Sequence, residues 1–357
     1  MRRGGSRVST EFASRPGAVG DPPQHYGNPL AEQRALLTGA VVDLSDRDVV
    51  TVTGPDRLTW LDSLLSQSLA RLAPGESAET LLLDPSGRIE YAARVVDDGE
   101  TAWLLMDAGT GAGLAAFLDR MRFMLRVDVA DRSAEFATIG TLGGPVPGTV
   151  TWVDPWRAVV AGGHQYATVA DHPGAEWTYS ETLVPRGELA ALADRAAAGI
   201  LALEALRIAA WRPRAATELD ATSIPHELDW IRSAVHLAKG CYRGQETVAK
   251  VHNLGHPPRR LVLLHLDGSD NVAVAAGDEV LDGEKVVGRV TATATHFELG
   301  PIALAVIKRS TDPSATLAVT GTDGVAAAAQ EVIVPTDAGA EADVPRLPRL
   351  GAVRRNG

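Results

Sequence analysis

The residue best suited to covalent chemistry in this chain is its only cysteine, Cys241. It lies in the octet Lys239-Gly240-Cys241-Tyr242-Arg243-Gly244-Gln245-Glu246, between two glycines and close to Lys239 and Arg243. The apolar-periodic run Thr247, Val248, Ala249, Val251 follows at once, which predicts a loop turning into a short helix at the cysteine. Backbone N–H groups at a helix start and two nearby cations both favour thiolate over thiol. Cys241 is therefore a candidate nucleophile or thiolate donor. The competing reading is a small buried hydrophobe, the commonest fate of an unpaired cysteine.

Other chemistry-bearing groups give weaker signals. From Ala215 to Ala238 no strong periodicity is present, and Glu218, Asp220, His226, Glu227, Asp229 and Arg232 crowd a polar connection that runs into the octet. Long irregular connections are usually functional or disordered, and this one ends at the cysteine, which favours function. His252 and His256 have the spacing of a helical metal pair, but Gly255 and Pro257 oppose a continuous helix there, and no metal is expected. Arg259-Arg260 is read as an exposed strand end in preference to an RNA contact. Trp211, among Arg207, Arg212 and Arg214, is read as core in preference to a stacking surface. No P-loop, GxGxxG or Ser-His-Asp arrangement stands in the context it needs.

The totals narrow the function classes. A chain of 357 residues divides into two or three domains, and 45% apolar with 22% charged residues is ordinary globular composition. A formal charge of −11 argues against broad nucleic-acid binding, which needs a basic face. One cysteine excludes an internal disulfide. No apolar run approaches the ~20 residues of a membrane helix, and no apolar segment follows Arg2, Arg3 and Arg7 as a signal peptide requires. A cytoplasmic monomer is expected.

The elements that must position these residues are legible in part. Residues 1–35 and 335–357, rich in Gly, Pro, Ala and Arg without periodicity, are expected to be disordered extensions. Between them, Val49–Val52 predicts a strand and Gly54-Pro55-Asp56 starts a helix with Leu58, Leu61, Leu64, Leu65 and Leu69 on one face. Strands over 80–83, 89–96 and 101–106, joined by Pro-Ser-Gly and Asp-Asp-Gly turns, form an antiparallel meander. A helix over 113–124 and a strand over 125–129 complete a first α+β domain, 36–133. A second, 134–256, is expected to hold strands over 158–161 and 166–170, a helix from Arg186 to Ala198 and another over 199–210. After Pro257-Pro258, close-spaced short strands over 257–334 predict a small β-barrel.

The octet also resembles a family signature, K-G-C-[FY]-x-G-Q-E, of the YgfZ group of folate-binding proteins, relatives of the glycine-cleavage T protein (aminomethyltransferase). Val52 to Arg57 resembles that superfamily's first helix, Leu81 to Ile89 its first hairpin, and Gly288 to Ala305 its C-terminal barrel, so the likeness spans about 40–310. The resemblance implies three domains around a central hole, the first two intertwined, with tetrahydrofolate or a folate derivative at the middle. It implies a role in assembly or repair of iron–sulfur proteins, including tRNA-modifying enzymes, with those clients or assembly factors as partners. Cys241 would be the working thiolate, Lys239 and Arg243 the cations for the folate tail, and Glu227, then Asp107, the acceptor for the pterin. The alternative is aminomethyl transfer. Against it, ungapped counting from Asp107-Ala108-Gly109 puts Leu114 in the place of the transferases' aspartate, and Arg207-Ile208-Ala209-Ala210-Trp211 has Ala209 in that of their folate-binding glutamate. A methyl group cannot do a carboxylate's proton or charge work.

Overall fold

The computed structural model describes residues 10–269 and 272–342. The chain enters through a single turn of 3-10 helix and α1 (Pro29–Leu37). Pro29 stands where its missing N–H costs nothing, and the Asn28 side chain accepts the Ala31 N–H. This stretch is not the free extension expected of residues 10–35. Phe12 and Leu36 are buried, and the Glu32 carboxylate accepts the N–H groups of Tyr26, Asn28 and Gly199. Gln33 bonds Thr295 and Phe297. Its order comes from partners far along the chain, which local composition does not report. Residues 1–9 lie outside the described residues.

The strand β1 (Val41–Asp43) leads into β2 (Asp48–Thr53), α2 (Arg57–Leu64), β3 (Ser77–Leu83), β4 (Ile89–Asp97), β5 (Thr101–Met106), α3 (Gly111–Met121) and β6 (Asp128–Asp131). The antiparallel order β3-β4-β5-β2-β6 makes the first sheet. Side chains alternate between two cores, as a period of two requires. Val50, Val52, Leu82, Val95 and Leu104 pack beneath α2 and α3, with Leu61, Leu114 and Leu118. Val49, Leu81, Leu83, Val96 and Leu105 face the rest of the molecule. The expected meander and both helices are present. At the α2 entrance Gly54 has φ +128°, and a Cβ there would lie 2.2 Å from the Arg126 carbonyl oxygen, so only glycine fits.

The second sheet follows a different plan from the one expected. It is built from β7 (Phe136–Leu142), β8 (Val150–Val153), β9 (Tyr179–Pro185) and β10 (Ala197–Ala198), and its order is β10-β1-β7-β9-β8. β1 thus belongs to this sheet, parallel to β10 and antiparallel to β7, although it precedes the whole first sheet in the chain. The two sheets are thus intertwined, as the resemblance implies, and the approximate boundary at residue 36 does not separate them. Residues 158–161 and 166–170 are irregular, not strands. Their backbone N–H groups go to loop partners, Val160 to the Arg232 carbonyl and Tyr166 to the Asp229 carboxylate. The helix expected over 186–198 is a 3-10 turn, Arg186–Leu192, followed by β10.

α4 (Ile200–Ala209), the short turns α5 (Ala215–Glu218) and α6 (Ile231–Ala234), and α7 (Gln245–Leu254) connect to the barrel. There β11 (Arg259–Leu266), β12 (Glu279–Asp282), β13 (Lys285–His296), β14 (Gly300–Lys308), β15 (Thr316–Gly321) and β16 (Gly324–Val332) close in the order β11-β14-β13-β12-β15-β16. The tail is not free from 335 onward: Glu341 and Ala342 donate to the carbonyls of His252 and Asn253 at the end of α7. Residues 343–357 lie outside the described residues. Among the described residues no helix is long and apolar enough to cross a membrane.

Candidate functional site

The octet is bound into the fold residue by residue, and its cysteine is left exposed. Lys239 Nζ donates to the carbonyls of Asp62, Leu65 (2.9 Å) and Gln67 (2.8 Å), capping the end of α2. Tyr242 is buried beneath the loop. Arg243 pairs with Glu90 at 2.7 Å and lies over the Phe117 ring. Gly244 takes φ +83° against the β3–β4 turn, where a Cβ would meet the Asp84 carbonyl oxygen at 2.6 Å. Gln245 Nε2 reaches back to the carbonyls of Lys239 and Gly240, closing the loop.

α7 begins at Gln245, so Cys241 precedes the helix and does not sit on its first turn. The buried-hydrophobe reading of Cys241 is excluded by its exposure. Lys239 spends its donors on backbone carbonyls, and Arg243 is held by a carboxylate. Lys239 thus has its three donors engaged, while Arg243 keeps its Nε–H clear of Glu90.

The middle of the molecule, between the two sheets, is filled by ion pairs. Arg47 and Arg94 meet Glu181, Arg94 and Arg214 meet Asp107, Arg207 and Arg214 meet Glu204, and Arg212 joins Glu79 (2.6 Å) to Asp154 (2.9 Å). The space left among them is about 30 Å³, room for a water and little else. Of the sequence candidates only Asp107 lies here, buried, accepting from Arg94, Arg214 and the Ala216 N–H. Burial alone would push its carboxyl up, but Arg94, Arg214 and Arg47 outweigh that and hold it well below the usual carboxylate range. Such a group stays an anion at neutral pH and is a poor proton shuttle.

Leu114 is corrected as a marker of a lost acid: it is a buried residue of the α3 core, where no carboxylate would face the centre. Ala209 ends α4. Glu181 escaped the sequence reading because Ser180-Glu181-Thr182 reads as polar loop; its one signal is a charge at an inward position of β9.

Glu227 stands apart from the octet and the centre. It is buried, accepts the Ile224 N–H and pairs with Arg259 at 2.7 Å, and Arg259 also holds Asp220. The exposed strand end expected at Arg259-Arg260 is half corrected: Arg260 is fully buried, donating to the Thr311 carbonyl and Gln330. His252 and His256 turn to different partners, the Tyr166 hydroxyl and the Ala338 carbonyl. Trp211 is core, as preferred. Among the described residues no group of three or more His, Cys, Asp or Glu side chains is placed to hold a metal ion.

Next to Glu227, Asp229 takes φ +52°, accepts the Tyr166 N–H with one oxygen and has no partner for the other. Burial pushes its carboxyl up to about 7. Its ordinary value is about 4, so between about pH 4 and 7 the folded chain binds the extra proton. That contribution is full below pH 4 and is lost as pH rises through 7. Asp229→Asn keeps the acceptor and tolerates the left-handed backbone. It is expected to raise Tm by several degrees at pH 8 and by little at pH 5, read from thermal unfolding at the two pH values.

One antiparallel and one mixed sheet sharing a centre, with a closed barrel appended, make up a fold that matches the glycine-cleavage T protein. The crystal structure of glycine cleavage system aminomethyltransferase T from Bartonella henselae matches with a TM-score of 0.71 at 18% identity, covering 91% of this chain and 96% of that one. No family model matches the chain. In sequence it is 29% identical over 335 residues to an aminomethyltransferase of Streptomyces coelicolor, across 85% of this chain and 86% of the relative. It is 28% identical over 314 residues to an aminomethyltransferase of Nostoc sp., across 80% and 81%. Together these findings support the T-protein superfamily.

Proposed function

We propose that this chain is a folate-binding accessory protein of the YgfZ type, acting through Cys241 in the assembly or repair of iron–sulfur proteins, tRNA-modifying enzymes among them. One observation carries the reading: the side chains of Lys239, Tyr242, Arg243 and Gln245 are held by the fold, and the Cys241 thiol between them is exposed. A loop built this way presents sulfur to a second molecule, for exchange with a partner's sulfur or donation to its iron. One cysteine cannot hold a cluster, which takes about four ligands, so a cluster would be shared with the client.

Aminomethyl transfer is the second reading, favoured by the names of the sequence relatives. Two observations weigh against it. Ala209 supplies no carboxylate, and Asp107 is clamped as an anion by arginines. A general acid or base works best when it titrates near the working pH. Nucleic-acid binding is the third, opposed by the −11 charge.

The test has two arms. Tetrahydrofolate is titrated into the purified chain, and Cys241→Ser is compared with wild type for rescue of an iron–sulfur enzyme defect in cells lacking the native gene. Saturable binding by both proteins and rescue by wild type alone are expected. Equal rescue by the serine variant would remove the thiol from the mechanism, and aminomethyl transfer in a direct assay would promote the second reading.

A further inference from the structure

Two apolar side chains stand out on the surface. Among the described residues Met124 and Phe123 are the most exposed of the large apolar side chains, 97% and 89%, and Met121 and Leu125 next to them are exposed too. They form the knuckle between α3 and β6. Contiguous apolar side chains this open to water mark a docking surface. We infer that this knuckle seats the protein that Cys241 meets, a partner with an apolar cleft and a carboxylate rim; the inference rests on the reading of Cys241 above.

The fold holds the tip out instead of letting it collapse. Before it, Leu114 and Leu118 fix α3 in the core, and after it Val127 is buried. The Leu125 N–H closes a turn on the Arg122 carbonyl at 2.9 Å. Arg126 grips Asp56, at the α2 entrance, with its backbone N–H (2.9 Å), Nε (3.1 Å) and Nη2 (2.7 Å). Phe123 takes φ +43°, a left-handed conformation that a bulky side chain adopts only under constraint. A tip pinned at both feet loses little freedom on binding, as an anchor requires.

Two observations choose the occupant. The first is position. Arg243 of the octet lies over Phe117, one helical turn before Met121, so α3 carries an apolar line from the octet to the knuckle. The tip offers roughly 400 Å², under the ~800 Å² a side of a stable interface, so it does not by itself hold a second copy of this chain. It serves as one anchor of a larger contact that includes the octet. The second is charge. The chain carries −11, yet residues 120–126 hold Arg120, Arg122 and Arg126 and no carboxylate. Asp119 and Asp128 flank Arg122 and Asp56 holds Arg126, but both guanidiniums remain exposed and keep donors. A carboxylate rim on a protein meets these cations locally, whereas an anionic bilayer would also face the negative charge of the whole chain.

The experiment uses Phe123→Asn/Met124→Ser, which removes the anchor with a residue that tolerates the left-handed backbone. Its Tm, and the rate at which a small disulfide reagent labels Cys241, are expected to match wild type. Rescue of the iron–sulfur enzyme defect is expected to fall about tenfold, as on loss of a hot-spot aromatic. Overexpressed Cys241→Ser is expected to interfere with wild type by occupying the partner, and to stop interfering once the knuckle substitutions are added. Full rescue by the knuckle variant, or interference that survives its substitutions, would overturn the inference and leave the reading of Cys241 intact. Rescue by Cys241→Ser equal to wild type would remove that reading, and the shared partner with it. Knuckle-dependent flotation with phosphatidylglycerol vesicles, or a wild-type dimer in sedimentation that the knuckle variant abolishes, would overturn the inference in favour of a bilayer or a second copy.

Discussion

Replacing Arg212 with methionine is expected to cost about 3–5 kcal/mol of stability, the usual penalty for removing one partner of a buried ion pair. Arg212 is buried, bonded to Glu79 of β3 and to Asp154 after β8, and stacked over Trp156. It ties the two sheets together across their shared face. Methionine fills the stem's volume but leaves two carboxylates in a buried site with room for little water. Glu79 keeps the Ser233 hydroxyl and Asp154 keeps the indole N–H of Trp177, so the loss is expected toward the lower end of that range. The triple variant Arg212→Met/Glu79→Gln/Asp154→Asn, which removes charge from all the partners, is expected to recover part of it. Urea unfolding of the three proteins checks this, and a single variant within 1 kcal/mol of wild type would show that the centre is not held by these pairs.

Lys239→Met is the second large effect expected, roughly 2–4 kcal/mol, because the carbonyls of Asp62, Leu65 and Gln67 lose their common donor. An ammonium offers three donors from one atom; a planar guanidinium cannot reproduce that fan, so Lys239→Arg is expected to fail almost as badly. The function is expected to fall with the fold. With its anchor gone the octet loosens, and Cys241 reacts faster with a small disulfide reagent while rescue of the iron–sulfur defect declines. A labelling rate equal to wild type would mean that the lysine does not hold the loop.

What the amino-acid sequence makes legible here follows from where partners lie. The meander β3–β5 alternates apolar residues over two cores and is bounded by glycine turns, so its period can be read directly. β7 is buried at every position and shows no alternation, and β9 carries Ser180, Glu181 and Thr182 inside the fold, where they meet Thr141, Arg47 and Thr151 in turn. Such strands look like loops until their neighbours are known. β16 holds a run of four alanines, poor strand formers, and takes its shape from pairing with β11 and β15. The octet stands out as a motif, but the roles of its charges do not. Lys239 answers to backbone carbonyls that leave no trace in side-chain identity, and Asp107 meets Arg214 across 107 positions. Spacing cannot report either contact.

The placement of β1 and α1 has a bearing on how the polypeptide matures as it leaves the ribosome. Val41 needs Ala197 beside it, and Gln33 needs Thr295, 262 positions downstream. The first sheet can close as soon as β6 is made, whereas β1 waits for β7 and β10, and Gln33 on α1 waits until β13 of the barrel has emerged. Synthesis order and assembly order are thus inverted at the amino terminus, and that segment is where a nascent chain of this architecture would most need a chaperone's shelter.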